Sequence, residues 1–277
     1  MSALDDLLRS RGLPVGASAT TPRAKSQPVE AATGLGGMVG VLHAPKYYYD
    51  LVQGTTEWFR VRSGIPTASA MDKIITPGGE RSKSAEKYLY HLLAERILGR
   101  PLDQDKGSFW TIRGSEMEAE ALAYYRFQRD CATQPVGFIT TADGRVGASP
   151  DQLIGEDGCL EIKCPSPEIH MMYLMQAGGA YTAYKVQCQT QLFVSQRAWA
   201  DVVSYFPGLP EAIIRIERDE RYIAKIAAAC EAFCDELDSK WAECKARGWG
   251  VASEALKDSR FKHLPALDEL LKLAGVP

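Results

Sequence analysis

The sequence predicts an α+β domain in which a cluster of strands lies between helical segments. Three observations carry this. Apolar residues recur at helical spacing up to about Asp130, the pattern changes to short strand-like runs between Val136 and Cys164, and a long amphipathic helix follows Arg218. A 45 % apolar content in 277 residues is enough for a substantial core. With 24 Gly, 15 Pro and 24 % charged residues, collagen-like, coiled-coil and disordered classes are excluded.

The elements follow in order. Residues 2–13 are expected to form a short helix on Leu4, Leu7 and Leu8, and residues 16–40, rich in Ala, Thr, Gly, Pro and Ser, a flexible leader. The expected divisions are a leader over 1–44, a central domain over 45–247 and a helical extension over 248–277. Ordered structure is expected from Tyr47. A loop at Ser63-Gly64-Ile65-Pro66 precedes a helix from Thr67 to Ile75, which Pro77-Gly78-Gly79 stops. A second helix spans Ser84 to Leu98, closed by Gly99 and Pro101. A third runs from Gly114 to Asp130 with Met117, Leu122 and Tyr125 on its apolar stripe.

Val136–Ile139 and Val146–Ser149 read as strands broken at Asp143-Gly144. Asp151 to Ile154, the turn at residues 155–158 and Cys159 to Cys164 make a further hairpin. Tyr181 to Ser195 has helical spacing and Trp199 to Tyr205 reads as a strand. From Arg218 to Arg247 apolar residues return every three or four positions, the mark of one amphipathic helix against a core. A small last helix is expected near Pro265 to Leu273. No internal repeat is present.

The 32 Lys and Arg stand against 35 Asp and Glu, a net charge of −3, which excludes a globally basic nucleic-acid coat. The balance differs locally: residues 57–113 hold ten Lys and Arg against seven Asp and Glu, enough for a modest basic channel. No apolar run approaches the roughly 20 residues that span a bilayer, and Asp5 and Asp6 stand where a signal peptide carries positive charge. The seven cysteines contain no Cys-x-x-Cys pair, so neither a zinc ribbon nor a thioredoxin-type motif is supported. A cytoplasmic protein of a reducing compartment, with no membrane partner, is expected. His43, His91, His170 and His263 show no metal-ligand spacing.

The chemistry-bearing pattern is Ser149-Pro150-Asp151, nine residues, then Glu161-Ile162-Lys163. Strand side chains alternate, so Glu161 and Lys163 share a face, and the hairpin folds Asp151 back towards them. Two carboxylates suit Mg²⁺, with the Ile162 backbone carbonyl as a further oxygen ligand. A lysine beside the ion can orient or help deprotonate an attacking water. From these residues alone, a Glu–Lys pair on a solvated strand face, with Asp151 capping a turn, explains the pattern equally well.

Pro-Asp…Glu-x-Lys resembles the signature of the restriction-endonuclease-like nuclease core. The wider set resembles the phage lambda exonuclease, or YqaJ-type viral recombinase, family. Glu57-Trp58 through Thr67-Ala68-Ser69 is similar to that family's E-W-x-x-x-R-x-G-x-x-T-A-S segment, Arg113 to Glu118 to its R-G-x-x-x-E helix, and Gln187-Cys188-Gln189 to its Q-x-Q helix. The resemblance covers residues 57–189 and implies a central mixed sheet flanked by helices. It implies that Asp151, Glu161 and Glu118 bind the metal and that Lys163 is catalytic. Without it, Glu118 is one exposed helix glutamate among Glu116 and Glu120. Gln187 is implied to reach the active site or the DNA end, and Gln189 less so. Arg62, Ser69 and Ser149 are implied to grip a terminal 5′-phosphate, for which the planar guanidinium fork is suited. Read as a residue, Ser69 is equally a helix-face serine, and Trp58 is core packing.

The expected activity is Mg²⁺-dependent degradation of one strand of linear duplex DNA from a 5′-phosphorylated end, with Mn²⁺ substituting. The resemblance further implies a homotrimeric ring threaded by DNA and a single-strand annealing protein as recombination partner. An endonuclease or an exonuclease of other polarity would keep the same core, and a non-catalytic DNA-end-binding scaffold would keep the fold. Tyr47-Tyr48-Tyr49 suggests either base stacking or an anchor for the domain's start.

Overall fold

The computed structural model describes residues 44–102, 109–176 and 179–249. The helices expected at residues 2–13 and 265–273, the leader at 16–40 and all but the first two residues of the expected extension lie outside them.

Short extended runs form two sheets. Strands β1 (Lys46–Tyr48), β2 (Phe138–Thr140) and β3 (Gly147–Ala148) form an antiparallel sheet in that order. Strands β4 (Gln152–Ile154), β5 (Gly158–Lys163), β6 (Trp199–Ser204) and β7 (Ala212–Glu217) form the second, in the order β4-β5-β6-β7. It is mixed: β5 and β6 run parallel from Gly158↔Trp199 to Lys163↔Ser204, while β4 and β7 are antiparallel to their neighbours. A parallel pair needs a long crossover, and α4 (Pro167–Met175) and α5 (Gly179–Ser195) provide it. The remaining helices are α1 (Thr56–Arg62), α2 (Ala85–Leu98), α3 (Phe109–Arg129) and α6 (Glu220–Ala246).

Side-chain alternation along β5 sets the layers. Leu160 and Ile162 turn to one face, where they pack with Ala121 and Tyr125 of α3 and with Val203. Cys159 turns to the other, which joins a core with Val186 and Leu192 of α5 and Ile226 and Phe233 of α6. Each fully buried Leu or Ile contributes about 2 kcal/mol. The helix-flanked mixed sheet implied by the family resemblance is thus the fold observed, with β1–β3 as a separate small sheet.

The protein departs from the simplest reading in three places. Residues Ala68–Lys73 form a 3₁₀ helix, shorter than the helical segment expected over Thr67–Ile75. The flanking residues make bridges instead, Thr67 to Gly147 and Ile75 to Arg81, which take both out of the helical run. Strands β1 and β7 and helices α1 and α4 are additional elements. Helix α3 starts at Phe109, before the expected Gly114. All seven cysteines are free, and Cys159, Cys188, Cys230, Cys234 and Cys244 are buried as small apolar groups. Among the described residues, no helix is long and apolar enough to cross a membrane.

Candidate active site

Asp151 sits where the chain passes from β3 to β4. Its backbone N–H donates to Leu160 O at 3.0 Å, fixing it against β5. The pairing of β4 with β5 covers Gln152–Ile154 against Gly158–Leu160. Ile162 lies beyond it, and its N–H donates to Asp151 Oδ2 at 2.5 Å. In an extended strand a residue's N–H and C=O leave by the same edge, so the Ile162 carbonyl faces this edge too.

Glu161 projects to the α5 face and is only 3 % exposed. A buried carboxylate needs compensation, and three donors supply it. Lys163 Nζ pairs with Oε1, Gln187 Nε2 donates to Oε1 at 2.5 Å and Gln191 Nε2 to Oε2 at 2.5 Å. Burial works against the Lys163 ammonium, but Glu161 and Asp151 more than offset it, and the pKa lies above its ordinary value. Lys163 is therefore cationic throughout the neutral range. Burial, and then Glu161, push the Asp151 carboxyl well above the usual carboxylate range, with Lys163 and the Ile162 N–H opposing.

Glu118 comes from α3, on the opposite face of the sheet, and reaches the same edge. It lines a cavity with Asp151 and Ile162. Desolvation raises its carboxyl above the ordinary value, Lys163 opposes this and Glu161 adds to it. The hard oxygen donors Asp151, Glu161, Glu118 and the Ile162 carbonyl suit Mg²⁺ or Mn²⁺, and concentrated negative charge is what such an ion relieves. As placed, no three His, Cys, Asp or Glu side chains among the described residues are gathered tightly enough to hold a metal ion. The donor chemistry fits a divalent cation, while Glu161 spends both oxygens on Lys163 and the two glutamines.

Beside these groups lies a small cavity of about 130 Å³, lined among others by Arg62, Ser69, Ser149, Glu161, Lys163 and Gln187. Arg62 ends α1 and lies over the Trp58 ring at 3.9 Å. Its Nη2 donates to Ser69 Oγ at 3.3 Å, and burial lowers its pKa from the ordinary value. Arg62 Nε and Ser149 Oγ are buried with no hydrogen-bond partner among the described residues, which is uncommon for buried polar atoms. Trp58 is buried and donates from Nε1 to Gly137 O at 2.8 Å, so it is core packing that also supports Arg62.

Gln189 lies apart from this site. It donates to Glu217 O at 2.6 Å and accepts from the Asp219 N–H at 3.0 Å, bracing β7 and the start of α6. Two residues join the site without having been expected there. Gln191 holds Glu161, and its position four residues after Gln187 is a helical-face signal. Gln53 lines both cavities, and no local pattern marks it. His170 is buried between Ser204 Oγ at 2.7 Å and Pro210 O at 2.8 Å and is structural.

The family model for the YqaJ-like viral recombinase domain matches residues 57–198. Among solved structures, an alkaline exonuclease (LHK-Exo) from Laribacter hongkongensis is 33 % identical with a TM-score of 0.61, covering 70 % of this chain and 98 % of that one. LHK-Exo in complex with dAMP gives 32 % identity and a TM-score of 0.62 over the same shares. A phage related exonuclease from Haemophilus somnus 129PT, at 17 % identity and a TM-score of 0.51 over 64 % of this chain and 96 % of that one, shares the fold. No curated protein matches the chain.

Proposed function

Because the chain belongs to the YqaJ-like viral recombinase family, we propose that it is a Mg²⁺-dependent exonuclease that removes nucleotides from the 5′-phosphorylated end of one strand of duplex DNA. The observation that carries this is the meeting of Asp151, Glu161 and Lys163 beside a small cavity whose lining includes Arg62, Ser69 and Ser149. A pocket that holds a terminal phosphate counts from the strand end, which favours exonucleolytic over internal cleavage.

Asp151, Glu161, Glu118 and the Ile162 carbonyl would hold Mg²⁺, with Mn²⁺ substituting; when bound, the ion stabilises charge on the phosphate and lowers the pKa of water. The chain's own groups do the rest. Gln187 and Gln191 fix the Glu161 carboxylate. The Lys163 ammonium orients the attacking water and donates to a phosphate oxygen. Arg62, Ser69 and Ser149 grip the terminal 5′-phosphate through charge-assisted and hydroxyl hydrogen bonds. Double-stranded DNA ends are the substrate, and a homotrimer ring and a single-strand annealing partner complete the recombination role.

The test is digestion of linear duplex labelled at the 5′ or the 3′ end, with and without Mg²⁺, alongside closed circular DNA and a solution mass measurement. Mg²⁺-dependent release from the 5′ end, lost in Lys163→Ala, is expected. Undiminished digestion by Lys163→Ala overturns the site assignment, and cleavage of closed circles favours an endonuclease.

A further inference from the structure

A second cavity, of about 400 Å³, adjoins Asp151, Glu118 and Ile162, and the reading above leaves its other walls unused. Tyr49, Leu51 and Val52 form one part of the lining and Leu122 and Pro135 another. The loop carrying the first three is held in place. Gln53 Nε2 donates to Val136 O at 3.0 Å and Pro150 O at 3.2 Å, tying the loop to the backbone next to Asp151. Gly137 approaches so closely that a Cβ there would lie 2.0 Å from Leu51 O. Tyr49 stacks on Tyr47 with ring centroids 5.6 Å apart and 12° between planes. Tyr47 is pinned by its hydroxyl to Ser195 O at 2.8 Å. Tyr49 lines the cavity and is 49 % exposed.

Gln53 lines both this cavity and the smaller one around Arg62, so the two adjoin there. With a terminal phosphate at Arg62 and the next phosphate at Asp151 and Glu161, one nucleoside lies between them. We propose that the recess of Tyr49, Leu51, Val52 and Leu122 seats the nucleobase of that terminal nucleotide by stacking and apolar contact. This rests on the exonuclease reading. The apolar walls accept every base, because each has a π-face, and an enzyme that strips a strand needs such tolerance. The tyrosines thus divide the two roles suggested by their sequence: Tyr47 anchors and Tyr49 stacks.

The test measures kcat/KM for release of the first nucleotide from 5′-phosphorylated duplexes with either thymine or an abasic tetrahydrofuran at the terminal position. Wild type is expected to favour thymine by about 10-fold, the scale of one base–aromatic stack. Tyr49→Ala should bring the ratio close to one and Tyr49→Phe should keep it; the half-exposed ring makes both variants compatible with folding. An abasic residue at the second position should leave the wild-type rate unchanged. A ratio unaltered in Tyr49→Ala, or a defect confined to the second position, overturns the base recess alone. No release from any duplex by wild type overturns the exonuclease reading and the recess with it.

Discussion

Gln191 directs its side-chain nitrogen at Glu161 Oε2 at 2.5 Å, while its own carbonyl oxygen is buried without a hydrogen-bond partner. The opposite amide orientation would set that oxygen against the Glu161 oxygen, so the pairing holds Gln191 as the donor and Glu161 as the acceptor. An unmet buried acceptor costs about 1–3 kcal/mol, a cost accepted here for the placement of one carboxylate. Gln191→Leu is therefore expected to raise the Mg²⁺ concentration for half-maximal digestion by about 10- to 100-fold, the range for groups that hold a metal ligand in place. A Mg²⁺ titration of the initial rate checks this, and a change under about 3-fold removes Gln191 from the site.

Arg62 is built into its place by Trp58 beneath it and Ser69 beside it. A charge-assisted hydrogen bond contributes about 1.5–3 kcal/mol, so Arg62→Ala is expected to reduce the preference for 5′-phosphoryl over 5′-hydroxyl ends by about 10- to 100-fold. The Mg²⁺ midpoint should stay where it is, because Arg62 touches none of the carboxylates. Paired rates on the two duplexes, each over a Mg²⁺ series, separate these effects. A preference that survives the substitution places the terminal phosphate elsewhere.

The part of this site visible in the sequence is the part encoded locally. Asp151, Glu161 and Lys163 lie on one hairpin, where alternation and a short turn fix their relation. Glu118 needed the family pattern, because its α3 face reaches the carboxylates around a sheet edge that no helical periodicity reveals. Gln187 and Gln191 carried a readable signal, two amides one turn apart on an apolar helix, whereas Gln189 between them points to β7. The 3₁₀ segment Ala68–Lys73 and strand β7 depend on long-range partners: the bridge to Gly147 and pairing with β6. Tertiary pairing overrides local preference at both.

Asp151 gives the metal-free protein a pH dependence of defined sign. Burial and Glu161 raise its carboxyl above the ordinary 3.8, so the folded state holds its proton more tightly than the unfolded chain. The resulting stability is complete below that ordinary value and is lost as pH rises through the folded pKa, with a slope of at most about 1.4 kcal/mol per pH unit. Glu118 acts in the same direction. Mg²⁺ needs the carboxylates ionised, so its stabilising effect should grow over the same window. Urea unfolding across a pH series in chelator and in Mg²⁺ is expected to show two curves that diverge upward in pH. Asp151→Asn should flatten the first and remove most of the gap, and parallel curves would break the link between Asp151 and the cation.

The α3 face of the sheet contains a second buried acid, held in a network apart from the candidate site. Asp201 on β6 is fully buried, accepts from Tyr125 Oη at 2.7 Å, and takes two bonds from Arg215 at 2.8 and 3.0 Å. Arg215 also covers the Trp199 ring at 3.6 Å. Removing one member of a fully buried pair costs about 3–5 kcal/mol because the other charge is stranded. The Arg215 side chain is 43 % exposed, so water reaches the gap and Arg215→Leu is expected to cost about 2 kcal/mol. Tyr125→Phe should cost about 1 kcal/mol, one hydrogen bond to a charged group less the partial cover that Arg215 still gives. Because the residues share one carboxylate, the double variant should differ from the sum of the two single costs. The Mg²⁺ midpoint should be the same in all three, since the network shares no hydrogen bond with Asp151, Glu161 or Lys163. Chemical denaturation gives the stabilities and a Mg²⁺ titration the midpoint; a shifted midpoint would mean that this network positions the catalytic strand as well as stabilising it.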